Sequence, residues 1–331
     1  MPSDLPANTA PVAAEAEKPR GRKWLVRLMK LGVIAVVAVF IAMTAQRGWS
    51  QIAEYRWNLS WPWLAGAGIL YLLGLLPCGL YWHRTLLALG QNPALGETLR
   101  AYYIGHLGKY VPGKALVVVL RTGLIRSERV ATGIAAASVF YETLTMMAVG
   151  AFLAAAILAG WFREHWGFAA VAASLSLAAL LPTLPPVFRR LARLAGIGRK
   201  SPDVEERLER LGYATLTWGW VSIAGGWVLM GLSLWATLRG MGITQTASGP
   251  LYAWSQLPLF TAAVSLAMVA GFLSLIPGGA LVRETVLLGL MQQELGDGLA
   301  LLSAVMLRLV WLAAELLLSA GLYGVGRRHA P

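Results

Sequence analysis

Five charged residues lie in stretches otherwise apolar enough to cross a bilayer, and they are where the sequence offers chemistry. Glu142 falls near the middle of the apolar run 130–159, Arg283 and Glu284 follow Pro277-Gly278-Gly279, and Arg308 and Glu315 lie within 299–323. A charge at the bilayer centre costs about 2.5–3.5 kcal/mol on insertion scales, so these side chains are expected to face protein or water rather than lipid. Arg308 and Glu315 are seven residues apart, close to two helical turns, and share a face. Two uses are open to such a set. The charges could pair with one another, Arg308 with Glu315 or Glu142, and simply tie helices together. Alternatively, they could line or gate a hydrophilic cavity through which the head group of an amphiphile crosses.

A second cluster surrounds a broken segment. Residues 102–121 read YYIGHLGKYVPGKALVVVLR, with Gly105, Gly108, Pro112 and Gly113 interrupting the apolar run. Broken backbone at membrane depth is tolerated only where it is buried in protein or lines a wet cavity. Lys109, Lys114 and Arg121 would place positive charge at the mouth of such a cavity. Long basic side chains also snorkel to the interface, the simplest account of Arg121. His106 reads as a hydrogen-bonded packing residue. The second half of the chain carries an echo, in which VPGKALV at 111–117 compares with IPGGALV at 276–282, 165 residues on. Ala, Leu and Val are abundant enough here for coincidence. The other reading is a pair of interrupted helices in corresponding positions of two pseudo-repeat halves, the pointer to a transporter's midplane site. A short helix after each Pro-Gly would turn its N–H groups and positive dipole end toward an anion such as a lipid phosphate.

The elements that must position these residues are transmembrane helices. A span needs about 20 apolar residues. Candidates are a first helix over 31–45 extended back through Leu28 and Leu25, then 61–82, 130–159, 166–188, 211–238, 251–276 and 299–323. The 31–45 run behind a basic cluster also resembles a signal peptide, but Met43-Thr44-Ala45 is a poor cleavage match. Trp24, Trp57, Trp61, Trp63, Trp82, Trp161, Trp166, Trp235 and Trp254 fall at or near span ends, where indoles prefer to sit. Trp218, Trp220 and Trp227 are deeper and should pack between helices.

Charge sets the orientation. Twenty-two of the 28 Lys and Arg residues fall in the N-terminal region to Lys30, in 83–129, in 189–210 and at the C-terminal end, against four in the alternate loops. The positive-inside rule then puts both termini in the cytoplasm of a bacterial inner-membrane protein. The 102–121 segment, flanked by Arg100 and Arg126 on that side, is expected to be re-entrant. If 251–291 also re-enters, rather than forming a full span plus a short helix, two hairpins meet near the middle from opposite faces.

Composition excludes most other classes. Only 13% of residues are charged, 57% are hydrophobic, and the mean hydropathy is +0.61. Soluble domains carry roughly 25% charged residues, so a soluble fold and general disorder are both out. Residues 1–22 form a polar tail expected to be disordered, and 23–328 form the membrane domain. The formal net charge of +12 reports topology rather than nucleic-acid binding. One cysteine, Cys78, and four scattered histidines offer no metal or cofactor site. HExxH, GxSxG and the phosphate-binding GxxxxGK[ST] are all missing from the sequence. No catalytic residue is assigned, and an enzyme is not expected.

These residues resemble a known family. Gly108-Lys109-Tyr110-Val111-Pro112-Gly113-Lys114 followed by Arg121 looks like one signature of the flippase-like transmembrane domain of lysylphosphatidylglycerol synthase. Pro277-Gly278-Gly279-Ala280-Leu281-Val282-Arg283-Glu284 resembles its second signature. Glu142 and Arg308 match a glutamate in the family's middle helix and an arginine in its last. The family's glutamate is commonly followed by arginine, where this chain has Thr143. The chain stops at Pro331 without the soluble acyltransferase-like domain of the two-domain synthases, so their aminoacylating activity is not carried over.

The resemblance implies an all-α polytopic protein of six to eight spans with two broken hairpins. It implies translocation of an amphipathic lipid, of phospholipid or polyprenyl/isoprenoid type. Lys109, Pro112, Gly113, Lys114, Arg121, Glu142, Pro277, Gly278, Gly279, Arg283, Glu284, Arg308 and Glu315 form the candidate substrate-binding set. A non-catalytic accessory subunit of lipid or glycan synthesis and a membrane-embedded lipid transferase stay open as alternatives. Lipid- or glycan-synthesis enzymes and further copies of the chain stay open as partners.

Overall fold

The computed structural model describes residues 46, 53–55, 58–110, 115–125, 129–161, 174, 176–194, 196, 202–274, 276 and 279–328. The expected tail, the first helix over 31–45, most of 162–175, and Pro112, Gly113, Lys114, Pro277 and Gly278 lie outside these residues. Among the described residues five helices are long and apolar enough to cross a membrane. They make the protein an all-α, multi-pass membrane protein.

Helix α1 spans Trp61–Ala88. The first broken segment follows as α2 (Leu95–His106), a 3-10 turn (Leu107–Tyr110) and α3 (Ala115–Ile125). Helix α4 is Thr132–Trp161. Two short helices, α5 (Pro185–Leu194) and α6 (Pro202–Leu208), precede α7 (Tyr213–Gly240). A two-residue-per-strand hairpin, β1 (Gln245–Thr246) and β2 (Gly249–Pro250), leads into α8 (Ala253–Leu273). The last element, α9 (Val282–Arg328), breaks at Gly296, whose φ of 77° only glycine adopts without strain.

One sequence expectation fails in its described part. The run 166–188 does not continue as a single helix to Phe188. It turns through a 3-10 segment at Leu181–Thr183, and α5 begins separately at Pro185. Pro182, Pro185 and Pro186 explain this, since proline removes a helix donor and clashes with the preceding turn. α5 instead buries Phe188 and Ala192, four residues apart, and leaves Arg190 exposed.

The bundle is held by close backbone approach rather than by a water-driven core, as expected in lipid. α1 and α7 meet at Gly74 and Gly226, where a Cβ on Gly226 would lie 2.4 Å from the Gly74 carbonyl oxygen. Trp227 is fully buried and donates its indole N–H to Met146 O at 3.2 Å, as its mid-span position suggested.

The ends of the bundle are distinct. At one end the Ala131 N–H donates to Gln91 Oε1 at 2.7 Å, and Arg207 Nη1 donates to Gly90 O at 3.0 Å. The α1–α2 loop, the start of α4 and the α5 and α6 helices therefore share one end, which carries Arg84, Arg129, Arg207 and Arg210. At the other end the Ser60 N–H donates to Gly240 O at 2.8 Å, and Ser248 Oγ bonds Glu294 Oε1 at 2.6 Å, just before the Gly296 break.

Candidate functional site

The α2–α3 segment is a hairpin. It starts beside Gln91 and finishes beside Ala131, at the same end of the bundle. Its arms touch through glycine: a Cβ at Gly105 would lie 2.4 Å from Arg121 Cγ, and one at Gly108 would lie 2.9 Å from the Val117 backbone nitrogen. At 1.5 Å per residue, the 11 residues of α3 cover about 16 Å, roughly half a hydrocarbon core of about 30 Å. The segment enters and leaves the bundle without crossing it.

A second hairpin comes from the other end. α8 starts beyond the β-hairpin, and the first arm of α9, residues 282–295, returns to the same end at Glu294. That arm covers about 21 Å. Its tip carries two left-handed residues, Gly279 (φ 62°) and Leu281 (φ 67°). After the break at Gly296 the second arm of α9 runs the full depth to the basic end, where Arg100 Nε donates to Leu322 O at 3.2 Å. The geometry is two hairpins that enter from opposite ends, with Tyr110 of the first and Arg283 of the second lining one chamber inside the bundle.

Tyr110 from the first hairpin, Arg283 and Glu284 from the second, and Arg308 and Trp311 from the second arm of α9 line one small chamber of about 40 Å³. Met268, Leu287 and other apolar side chains complete the wall. Trp311 is held firmly. It stacks on Tyr71 at 4.1 Å between ring centroids and 8° between planes, and donates to Ser233 Oγ at 2.9 Å.

Each intramembrane carboxylate has a basic partner. Lys109 Nζ lies 2.5 Å from Glu315 Oε1 and 3.1 Å from the Tyr71 hydroxyl, which also donates to Glu315. Arg121 Nη1 bonds Glu142 Oε2 at 2.6 Å, with the guanidinium 4.0 Å from the Tyr102 ring centroid and 5.6 Å from that of Trp82. Arg308 Nη1 pairs with Glu284 Oε1. Arg283 differs. It pairs with no carboxylate among the described residues, and its buried Nε has no hydrogen-bond partner.

Two sequence readings need correction. Arg308 pairs with neither Glu315 nor Glu142 but with Glu284, because the first arm of α9 folds back beside the second. Arg121 does not snorkel: it is 2% exposed and sandwiched between aromatic faces and Glu142. A helix does follow each Pro-Gly, from Ala115 after the first and from Val282 after the second.

His106 behaves as expected, stacked on Tyr102 at 6.0 Å and 3.5 Å from both the Tyr71 hydroxyl and an Arg121 nitrogen. Thr143 donates to Glu142 Oε2 at 3.3 Å, where the family commonly has arginine. Sequence reasoning missed Tyr71, Tyr102, Tyr110 and Trp311. Only Trp311 left a signal, at three residues from Arg308 and four from Glu315 on the same helical stripe.

The model of the family described as lysylphosphatidylglycerol synthase TM region matches residues 28–319. Among curated proteins, none matches the chain.

Proposed function

Because the chain belongs to the lysylphosphatidylglycerol synthase TM region family, we propose that it translocates an amphipathic membrane lipid through the chamber between its two hairpin tips. The family and the apolar helices make it a multi-pass membrane protein with a lipid-related role. The observation that carries the finer reading is the opposed pair of hairpins, one from each end, meeting at a charged chamber inside the bundle. Irregular backbone and buried charge are expensive at that depth unless they serve a polar path. Alternating access follows if one tip withdraws while the other closes, so that the head group passes while the acyl chains stay in lipid.

The proposed role makes and breaks no covalent bond. The end that gathers Arg84, Arg129, Arg207 and Arg210 lies on the cytoplasmic face of an inner membrane, with both chain termini, since basic loops are retained there.

The test is reconstitution of the full chain in liposomes containing fluorescent head-group or tail-labelled lipids, with dithionite quenching of the outer leaflet. Translocation predicts a quenched fraction that rises above one half in proportion to protein. No protein-dependent increase with phospholipids or polyprenyl-linked lipids would overturn the reading. The mutual pairing of Lys109, Arg121 and Arg308 with three carboxylates favours a second reading, an accessory subunit whose charges only tie the bundle. In that case Arg308→Ala lowers protein abundance and leaves activity in the purified system unchanged.

A further inference from the structure

We infer that the chamber takes a lipid whose head group carries a single net negative charge, and that Arg283 holds its phosphate. This rests on the reading of the chamber as the head-group path. It goes beyond that reading by excluding zwitterionic and net-positive lipids, including the lysylated lipid in the family's name.

The argument is a charge count inside the bundle. Its described spans and hairpins hold three carboxylates, Glu142, Glu284 and Glu315, and four cations deep among them, Lys109, Arg121, Arg283 and Arg308. Each carboxylate is taken by one cation, which leaves Arg283. The sequence at 111–114 and 277–278 contains no acid. An uncompensated guanidinium in a low-dielectric setting costs several kcal/mol unless a counter-ion is supplied. Among the described residues no carboxylate lies within ion-pair distance of Arg283, and a bound phosphate would supply that counter-ion.

Arg283 is also built to wait for that ligand. Its side chain lies against two glycines, where a Cβ on Gly271 would come within 2.5 Å of Arg283 Cγ and one on Gly279 within 2.8 Å of Nε. Any larger residue at either position would push the guanidinium out of place. A planar guanidinium matches two phosphate oxygens at once, which an ammonium cannot do.

Glu284 narrows the class further. It lines the same chamber, and its Oε2 is buried without a donor. Its charge is already balanced by Arg308, so a neutral hydroxyl on the head group satisfies that oxygen without disturbing the count. An added ammonium would leave the chamber with surplus positive charge. The chemistry that fits is a phosphodiester bearing hydroxyls rather than an amine.

The test measures equilibrium lipid binding to the purified full chain by native mass spectrometry. The probes are phosphatidylglycerol, phosphatidylethanolamine and lysyl-phosphatidylglycerol, which carry one negative, no net and one positive charge. Wild type should prefer phosphatidylglycerol over the lysylated lipid by at least about tenfold, the scale of one charge-assisted contact. Arg283→Gln should abolish the preference and Arg283→Lys should keep part of it. If Arg283→Gln does not purify folded, Ala304→Asp serves instead. It adds the missing carboxylate to the chamber wall and should remove or reverse the preference.

Equal binding of the three lipids by wild type overturns the inference, as does an unchanged preference in Arg283→Gln or Ala304→Asp. Binding is read without transport. A protein that prefers the anionic lipid but does not scramble it loses only the translocation reading, and one that scrambles without preference loses only this inference.

Discussion

The two hairpins look like copies in sequence and differ in how their charge is settled. The first, Leu95–Ile125, hands both its described buried cations to carboxylates on other helices: Lys109 to Glu315 on the second arm of α9 and Arg121 to Glu142 on α4. The second keeps Arg283 free of any described carboxylate and turns Glu284 inward to Arg308 on the other arm of its own helix. The first hairpin is therefore clamped to the bundle, and the second presents an unspent charge to the chamber. If the protein works by relative motion of the tips, its ligand contact belongs to the second hairpin and its latch to the first.

The largest expected effect breaks the clamp at its deepest point. Glu142→Gln strands Arg121, which is 2% exposed, without a counter-ion. Breaking one partner of a buried pair costs about 3–5 kcal/mol. The variant should lose most of its monodisperse yield in detergent and unfold well below wild type, and Glu142→Gln combined with Arg121→Gln should recover much of the loss. A single variant as stable as wild type would refute the clamp. Glu315→Gln should cost less, about 1–3 kcal/mol, because Lys109 keeps the Tyr71 hydroxyl and lies 5.0 Å from the Tyr110 ring centroid. Here the informative comparison is scrambling against thermal stability. A latch predicts a change in rate larger than the change in stability warrants, and a structural tie predicts that the two fall together.

What could be read beforehand follows from where the information resides. Span positions depend on local hydropathy, so α1, α4, α7, α8 and the second arm of α9 were legible within a few residues. The re-entrant hairpin was legible because charge on both flanks and broken backbone between them are also local facts. Pairing was not. Arg308 and Glu315 share a face, yet the acid that reaches Arg308 is Glu284, brought there only by the reversal at Gly296. The polar stretch Gln292-Gln293-Glu294-Leu295-Gly296-Asp297-Gly298 marks a break in the apolar run, but it does not say which acid the two arms bring to Arg308. Arg121 looked superficial for the same reason, since its burial depends on Trp82 and Tyr102 from two other elements.

The second hairpin is sharpened by a smaller change. Gly279→Ala places a Cβ at a left-handed residue, φ 62°, and within 2.8 Å of Arg283 Nε. The backbone term is about 1–2 kcal/mol. Stability should drop by that order while lipid selectivity drops as though Arg283 itself had been altered. An alanine that leaves selectivity intact would mean that the tip can shift without carrying the arginine, and the contrast between a clamped and a poised hairpin would fail.

The smallest effect calibrates the others. Arg193 contacts Glu205 at 2.6 Å, as short as Arg121 to Glu142, but its side chain is 52% exposed at the basic end. Water screens an exposed pair and leaves it worth about 0–1 kcal/mol. Arg193→Ala should therefore change the unfolding temperature and scrambling little, and what effect it has should shrink further as salt is raised. A loss comparable to that of Glu142→Gln would mean that distance rather than burial governs these ion pairs. The clamp assigned to the first hairpin would then have no special standing over any contact on the surface.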